Sequence, residues 1–297
     1  MAGTRPSHRW VARSLLRWFE PRRTRYAWRR TNDPYHVLVS EVMLQQTQAS
    51  RVEPAFERFV GAYPTVEDLA TASTAGALRA WAGLGYNRRA VALARTARAV
   101  VRDHAGRIPS DPSQLRTLPG IGPYTAAAVA SIAFRRRVAA VDTNVRRVVA
   151  RVVRGSEPDD VAPRSIQAAA DLLVAAADPG RWNQAVMDLG RDVCRPVPRC
   201  DRCPLRAACR FRPGPVASVT PRRSRAEPFD GSRRQLRGQI VRELLSRGIG
   251  TIGGLCAATG QPLPRVTAAV VALADEGLVR AGAAALAGRP RGRVRLA

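Results

Sequence analysis

Apolar residues recur at helical spacing through most of the chain, whereas the alternation typical of strands is almost absent before residue 210. Apolar side chains near the N-terminus share one face of an amphipathic helix, which we expect to pack on the body. That face consists of Trp10, Val11, Leu15, Leu16, Trp18 and Phe19. Further helices are predicted near residues 35–44, 50–60, 65–71, 74–82, 87–104, 143–153, 164–176 and 181–192. The pattern therefore predicts a mainly α fold.

Several predicted helices start with residues that cap free backbone N–H groups. Asp33 stands directly before a proline, which is favoured in the first turn of a helix. Thr65 and Asp68 have the spacing of a capping box, with Asp in the place of the usual Glu. A third start is expected at residues 110–112. These signals support the helical assignment independently of the apolar spacing.

The chain changes in character after residue 210. Residues 211–231 are rich in Pro, Ser and Arg and lack apolar periodicity, so they are predicted to form a linker. Residues 232–297 contain three helical segments and two short segments, VRAG and RVRLA, that can pair as a two-stranded wing. Three helices and a wing suggest a small winged-helix-like module, with a plain helical cap as the alternative.

The chain is strongly basic, with a formal net charge of +26 from 49 basic residues, all of them arginine. This excess of positive charge favours a polyanionic partner, because a protein that neutralises phosphates releases their counterions. A basic surface that binds no ligand would give the same net charge. The arginine guanidinium can donate two hydrogen bonds to one phosphate and can stack on bases, but GC-rich codon usage would also favour arginine over lysine. We find no apolar run long enough for a membrane helix and no secretory signal, and expect a cytoplasmic, nucleoid-associated monomer.

The segment LPGIGPYTA at residues 118–126 fits a helix-hairpin-helix pattern. Gly120 and Gly122 allow the backbone to turn tightly and to approach a ligand closely. The helix that follows presents free N–H groups and the positive end of its dipole, which hold a phosphate without reading bases. An ordinary helix–helix turn would explain the two glycines alone. Because the flanking Leu-Pro and Thr-Ala extend the match, the segment predicts contact with a DNA backbone.

Four of the five cysteines fall within one short segment. They are Cys194, Cys200, Cys203 and Cys209, separated by five, two and five residues. Clustered cysteines in a basic chain without a secretory signal indicate metal ligands rather than disulfides. A single central C-x-x-C with an outlying cysteine on each side favours a 4Fe–4S cluster. Structural zinc, which is usually bound by two separate C-x-x-C knuckles, remains the alternative metal.

Four further segments carry a resemblance to a known family. They are SEVMLQQTQ at 40–48, GLGY at 83–86, VDTNVRRV at 141–148 and NQAVMDLG at 183–190. With the hairpin and the cysteines, they resemble the MutY-type adenine glycosylases of the helix-hairpin-helix, iron–sulfur class of DNA glycosylases, over about residues 26–210. The resemblance implies the helix-hairpin-helix DNA glycosylase fold. Its parts would be an iron–sulfur module (1–30 with 143–210), a six-helix barrel (31–142), the linker (211–231) and the C-terminal module (232–297).

The resemblance also implies roles for particular residues. Glu41 would protonate adenine at N7 and later activate water, while Asp142 would stabilise the cationic sugar, as paired carboxylates do in glycoside hydrolysis. Tyr124 and Asn144 match residues that hydrogen-bond within this site. This division of labour predicts a raised pKa for Glu41 and a low pKa for Asp142. The alternatives to these catalytic roles are that Glu41 is a solvated helix residue and that Asp142 is an N-cap of the following helix.

DNA contacts are implied by the same resemblance. Gln46 and Tyr86 match positions that wedge into the duplex beside the mispaired guanine, and Thr47 is a weaker candidate, since the target base must leave the stack. The backbone contacts in the hairpin would involve Leu118, Gly120, Gly122 and Thr125. Tyr124 occupies the position of the Schiff-base lysine of bifunctional relatives, and the chain contains no lysine. Strand cleavage by β-elimination is therefore expected to be weak or absent.

The chain departs from the family pattern at three places. The first cysteine gap has five residues where six are usual, Asn87 stands where many members have a second tyrosine, and residues 211–297 are too few for the Nudix-like domain that recognises 8-oxoguanine. The expected partner is double-stranded DNA with an A:8-oxoguanine or A:G mispair. The alternatives are a thymine or uracil mismatch glycosylase, which needs the acid Glu41 less, and a non-enzymatic iron–sulfur DNA-binding regulator. A zinc base deaminase is disfavoured because the chain has no H-x-E motif.

Overall fold

The computed structural model describes residues 7–22, 26–212 and 228–297, so most of the predicted linker lies outside the described residues. The chain divides into two compact units, each built from two separate stretches of sequence. The first unit comprises Met1–Glu41 and Ile108–Arg222, and the second comprises Val42–Arg107 and Arg223–Ala297. Each unit therefore joins segments that are far apart along the chain. The domain boundaries inferred from the sequence stay a prediction.

The described residues are mainly helical, as predicted, with one small sheet near the C-terminus. The helices are α1 (His8–Phe19), α2 (Pro34–Leu44), α3 (Ala49–Ala62), α4 (Val66–Thr71), α5 (Thr74–Ala80), α6 (Arg88–His104), α7 (Pro112–Leu115), α8 (Pro123–Phe134), α9 (Thr143–Val149), α10 (Pro163–Leu173), α11 (Pro179–Asp192), α12 (Arg233–Arg247), α13 (Ile252–Thr259), α14 (Leu263–Asp275) and α15 (Ala283–Leu286). The strands are β1 (Ile249–Thr251), β2 (Val279–Ala281) and β3 (Arg293–Leu296). None of the described helices combines the length and apolar composition that a membrane crossing requires.

The first unit is organised around helix α11, which packs on α1, α8 and α9. Trp182 of α11 lies in a continuous apolar core, and burying a side chain of this size contributes roughly 2–3 kcal/mol. The predicted N-terminal amphipathic helix is confirmed as α1, whose Val11, Leu15 and Phe19 enter the same core. The N-terminal helix thus supports the elements that carry Asp142 and the cysteines.

The predicted helix starts are confirmed. The Asp33 carboxylate accepts a hydrogen bond of 2.8 Å from the His36 N–H, and Thr65 and Asp68 form the reciprocal capping box. Asp111 caps α7 by accepting from two backbone N–H groups. Side-chain oxygens at these positions satisfy N–H groups that have no partner within the first turn, which fixes where each helix begins.

The C-terminal module, in the second unit, has the winged-helix-like order that the sequence predicts. Helices α12, α13 and α14 are followed by the paired strands β2 and β3. The structure adds β1, which pairs with β3 to give an antiparallel sheet of order β1-β3-β2, and the short helix α15 between β2 and β3. The three residues of β1 are too few to show strand alternation, so pattern analysis could not find them.

The close approach of α8 and α11 depends on Gly180. A β-carbon there would lie 2.8 Å from the Ile132 Cα and 3.1 Å from the Ser131 carbonyl oxygen, both backbone atoms that cannot move independently. We expect Gly180→Ala to lower the free energy of unfolding by about 1–3 kcal/mol, the usual cost of overpacking. Urea unfolding followed by far-UV circular dichroism measures the change.

Gly238→Ala is the matched control, because a β-carbon at this position in α12 meets no atom within 4 Å. Alanine is the better helix former, so this variant is expected to be unchanged or more stable by up to about 1 kcal/mol. Equal losses of stability in the two variants would contradict the tight α8–α11 crossing.

Candidate active site

Helix α2 carries a carboxyl group in mostly apolar surroundings. Glu41 is only 6% exposed, and its helical neighbours Leu38 and Val42 are also buried. Its Oε2 accepts a hydrogen bond of 2.8 Å from the Tyr124 hydroxyl. Burial raises the pKa of Glu41 from 4.5 to about 7, although the Tyr124 hydrogen bond and the Arg29 charge lower it. The predicted direction is confirmed, and Glu41 is not a solvated helix residue.

Asp142 is the N-cap of α9. Its carboxylate accepts hydrogen bonds from the Val145 N–H at 2.7 Å and from the Asn144 side-chain amide at 2.9 Å. Burial nevertheless raises the pKa of Asp142 above its ordinary value, because desolvation outweighs these bonds. The prediction of a low pKa for Asp142 was therefore wrong. The capping role is confirmed, and it orients the carboxylate.

Tyr124 stands in the first turn of α8, directly after the hairpin. Its hydroxyl lies 2.8 Å from Glu41 Oε2 and 3.4 Å from the Met187 sulfur. Burial and the negative charges of Glu41 and Asp142 raise the pKa of Tyr124 well above its ordinary value. The phenol therefore stays protonated at neutral pH and serves as a fixed hydrogen-bond donor to the carboxyl group.

A buried ion pair lies close to this carboxyl group and was not predicted. The Arg29 guanidinium donates two hydrogen bonds of 2.8 Å to the Asp188 carboxylate, and the side chains are only 9% and 3% exposed. Arg191 adds a second cation at 3.0 Å from Asp188. The only sequence signal was an aspartate on the apolar face of the NQAVMDLG helix. Its partner is 159 residues away along the chain.

Arg147 connects the Asp142 site to the first cysteine. Its guanidinium donates to the Asn144 side-chain oxygen at 2.9 Å, to the Gly190 carbonyl at 2.7 Å and to the Cys194 carbonyl at 2.6 Å. A β-carbon at Gly190 would lie 2.6 Å from the Asn144 Cβ, so α9 and α11 are in direct contact here. The same side chain therefore holds both Asn144 and the start of the cysteine loop.

The four clustered cysteines are half-buried and line one cavity of about 350 Å³. Arg151, which is 2% exposed, supports its wall by donating to the Arg195 and Pro196 carbonyls and pairing with Glu157 at 2.8 Å. Arg151 belongs to a π-helical turn, Ala150–Arg154, that interrupts the helix predicted over 143–153. Among the described residues, no three His, Cys, Asp or Glu side chains converge as they would on a single metal ion.

The predicted hairpin is present between α7 and α8. Gly120 has a φ of 77°, a conformation that disfavours side chains, and Gly122 is the N-cap of α8 without any side-chain cap. The positive end of the α8 dipole therefore lies directly after the turn without a capping side chain, which suits a phosphate. Leu118 and Thr125 are 4% and 2% exposed, so their side chains pack beneath the hairpin.

In the second unit, Arg89 organises the two loops that carry Gln46, Thr47 and Tyr86. Its buried guanidinium donates to the Gln45 carbonyl, to Thr47 Oγ1 at 3.0 Å and to the Gly85 carbonyl at 3.3 Å. Gln46 and Tyr86 both have positive φ angles, of 55° and 47°, and Gln46 is exposed. Such strained backbone is typical of functional loops, and Arg89 is the residue that sequence analysis missed here.

Comparison with known proteins identifies the relatives of this chain. A model of the HhH-GPD superfamily base excision DNA repair proteins matches residues 39–174. An adenine DNA glycosylase of Mycobacterium tuberculosis is 45% identical over 236 residues, which cover 77% of this chain and 76% of the relative. The chain belongs to the adenine DNA glycosylase family. Another member of this family, the Homo sapiens adenine DNA glycosylase, is 41% identical over 67% of this chain and 39% of its own length.

Solved structures of other proteins share the fold of this chain. A thermostable thymine-DNA glycosylase matches with a TM-score of 0.64 at 29% identity, over 69% of this chain and 95% of the other. A DNA complex of endonuclease III matches with a TM-score of 0.58 at 21% identity, over 69% of this chain and 96% of the other. The predicted helix-hairpin-helix glycosylase fold is confirmed.

The raised pKa of Glu41 predicts a pH-dependent stability difference for Glu41→Gln. Because the pKa rises from 4.5 to about 7 on folding, protonation favours the folded state. This contribution is complete below about pH 4.5 and is lost as the pH rises through about 7. Glutamine mimics the protonated group and still accepts from Tyr124. The variant should gain up to about 3 kcal/mol over the wild type at pH 8 and little at pH 5.

Urea unfolding of both proteins at the two pH values measures this difference. Glu57→Gln, at an exposed position of α3, is the control and should show no pH-dependent gain. The same stability difference at both pH values for Glu41→Gln would mean that Glu41 is already ionised in the folded protein.

Proposed function

We propose that this chain removes adenine from double-stranded DNA where adenine is mispaired with 8-oxoguanine or guanine, by hydrolysis of the N-glycosidic bond. The observation that carries the proposal is the buried Glu41, which shares a hydrogen bond with Tyr124 and has a pKa of about 7. A group with this pKa is partly protonated at neutral pH and can both give and take a proton. The family relationship supports adenine as the target.

Glu41 would protonate the departing adenine, which cannot leave as an anion at a useful rate. The Tyr124 hydroxyl holds the Glu41 carboxyl in one orientation. It also keeps a donor beside the carboxylate that remains after proton transfer, so the charged product state is stabilised. The same carboxylate would then accept a proton from the attacking water. In this scheme Glu41 acts first as acid and then as base.

Asp142 would stabilise the positive charge that develops on the sugar. Its carboxylate is fixed by two donors, the Val145 N–H and the Asn144 amide. Burial raises its pKa in the protein alone, but a nearby cation favours the ionised form, so the two charges stabilise each other. Electrostatic stabilisation of this kind contributes most where donors are oriented in advance and water is excluded.

The chain is proposed to act without cleaving the DNA strand. A Schiff base requires a primary amine in the site, and the chain contains no lysine. Tyr124 takes the corresponding place in the first turn of α8 and is hydrogen-bonded to Glu41. A neutral phenol cannot form an imine with the opened sugar. The abasic product would therefore leave the protein with its backbone intact.

Cys194, Cys200, Cys203 and Cys209 are proposed to bind a 4Fe–4S cluster. The donor set fits, because four thiols and no imidazole or carboxylate line a cavity of about 350 Å³. Burial raises the pKa of the Cys203 thiol to about 11, so thiolates there need the positive charge that bound iron supplies. The cluster would hold this loop together for DNA binding. Exposed arginines in and beside this loop include Arg199, Arg202, Arg206 and Arg210.

Contacts with DNA are proposed at two kinds of element. The hairpin would bind a phosphate at the N-terminus of α8, which follows Gly122 and has no capping side chain, with Gly120 allowing the turn and with Leu118 and Thr125 packed beneath it. The loop residues would wedge into the duplex so that the adenine leaves the stack. These residues are Gln46, Thr47 and Tyr86.

We infer that the protein is a cytoplasmic, nucleoid-associated monomer.

Removal of thymine or uracil is the second candidate. A thymine/uracil-DNA glycosylase of Methanothermobacter thermautotrophicus is 31% identical over 67% of this chain and 91% of the relative. Pyrimidine anions leave more easily than adenine, so a buried acid such as Glu41 is needed less for them. A DNA-binding regulator without catalysis would have no use for Glu41 or Asp142. Adenine is favoured because a protonated Glu41 suits a purine leaving group.

Excision assays on four labelled duplexes test these functions. They carry A opposite 8-oxoguanine, A opposite G, T opposite G and U opposite G, each scored with and without hot alkali. We expect alkali-dependent breakage at adenine only. Glu41→Gln should slow excision by about 10²–10⁴-fold, the usual contribution of a general acid, and Glu57→Gln should leave the rate unchanged. Breakage at T or U alone would establish the second candidate, and tight binding without breakage would favour the regulator.

Iron and sulfide analysis tests the proposed cluster. The purified protein should contain about four iron atoms and a similar amount of inorganic sulfide per chain, with visible absorption. Cys203→Ser should lose both, whereas Cys256→Ser, outside the cavity on α13, should keep them. One zinc atom per wild-type chain without sulfide would show a structural zinc site instead.

A further inference from the structure

One face of the C-terminal sheet is lined with arginine. Val294 in the middle of β3 is buried, whereas its neighbours Arg293 and Arg295 are exposed, and Arg280 on β2 is exposed as well. The register places Arg280 directly opposite Arg295 in the β2–β3 ladder. Like charges at directly opposed positions of a sheet are destabilising. Folding of the module alone gives no reason to keep this pair.

The turn that leads into β3 extends the basic surface. Arg289 and Arg291 are exposed there, and residues 277–297 contain five arginines and no acidic residue. Within the described parts of the chain, none of the five forms an ion pair or a side-chain hydrogen bond. We propose that this surface, the wing strip, binds the phosphate backbone of duplex DNA without reading its sequence. The wing strip comprises Arg280, Arg289, Arg291, Arg293 and Arg295.

Helix α14 lacks the chemistry for reading bases, although it stands where winged-helix order puts the recognition helix. Leu263 and Pro264 at its exposed N-terminus are apolar. Its single arginine, Arg265, donates to the Gln261 side chain at 2.7 Å and to the Gly231 carbonyl. Base edges in the major groove are read mainly by Arg, Lys, Asn and Gln side chains. The DNA contact of the module therefore falls on the wing strip and is made to phosphates.

The wing strip is held in place within the second unit. Arg237 of α12 pairs with Glu276, and Arg95 of α6 donates to the Glu276 carbonyl at 3.4 Å. Gly292 packs on the backbone of Ala285, with no space for a side chain, so the turn is fixed against α15. A flexible segment loses conformational entropy when it is ordered on binding, which weakens affinity, and a strip whose backbone is already fixed avoids much of this entropy loss. The backbone that carries these arginines is therefore already ordered before DNA binds.

Counterion release sets the size of the expected effect. Each phosphate that a protein neutralises contributes about 0.9 to the slope of log affinity against log salt concentration. The four arginines from 289 to 295 would account for about three to four units of that slope. Their removal should weaken binding about tenfold or more at about 0.1 M salt, equally for any base composition. A base-reading surface would instead show losses that depend on the sequence.

The test compares two variants that each lose four positive charges. R289Q/R291Q/R293Q/R295Q removes most of the wing strip. R9Q/R13Q/R17Q/R242Q is the matched control and removes exposed arginines of α1 and α12. Fluorescence anisotropy with a short undamaged DNA duplex gives the Kd of each full-length protein over a range of salt concentrations. Thermal unfolding of each protein is measured in parallel.

The wing variant should show the lower salt slope and the weaker affinity, while the control stays close to the wild type. Its Tm should equal or exceed that of the wild type, because a repulsive pair has been removed. Equal affinities and slopes for the two variants would overturn the proposal, as would stronger competition by RNA than by DNA of the same length. The duplex contains no mispair, so the result does not depend on whether the chain excises adenine.

Discussion

Burial of the Glu41 carboxyl group is the constraint on which the rest of the site depends. An ionised carboxylate in an apolar helix is unfavourable, and its pKa rises until the protonated form is populated near neutral pH. The charge of the nearby Arg29 opposes this rise, because it attracts the ionised form of Glu41. Its two hydrogen bonds to Asp188 place a negative charge beside the guanidinium, which weakens that attraction. The buried ion pair therefore helps to keep Glu41 capable of giving up a proton.

The two carboxyl groups differ in their hydrogen-bond donors as well as in exposure, since Glu41 is buried and Asp142 is half-buried. Burial raises the pKa of both. Glu41 has a single phenol donor, whereas Asp142 accepts from a backbone N–H at the start of α9 and from an amide. Donors to the charged form favour ionisation, and the N-terminus of a helix adds its dipole. A developing cation on the sugar would separate the two pKa values by favouring the ionised form of Asp142.

Local features of the sequence were sufficient for much of the fold. Apolar spacing predicted α1 and the core helices, and capping residues such as Asp33 and Thr65 marked the starts of helices. The hairpin glycines and the clustered cysteines needed only short motifs. The features that sequence analysis did not predict depend instead on contacts between distant parts of the chain. The Arg29–Asp188 pair spans 159 residues, and β1 acquires its strand geometry only by pairing with β3. Such contacts depend on the folded arrangement, which a local pattern does not contain.

Arginine takes two distinct roles in a chain without lysine. Arg89, Arg147 and Arg151 are cross-links, each donating to several carbonyl or side-chain oxygens that belong to different elements. A lysine carries its three donors on one nitrogen and cannot reach acceptors that lie this far apart. These three positions therefore require the guanidinium group, whose donors are spread over three nitrogens. On the wing strip the same group has no acceptor among the described residues. Arginines of the first kind are committed to contacts within the fold, whereas exposed arginines without a partner remain as positive charge for phosphates. Net charge alone therefore overstates the surface that is available to DNA, and the unpaired arginines give the better measure of it.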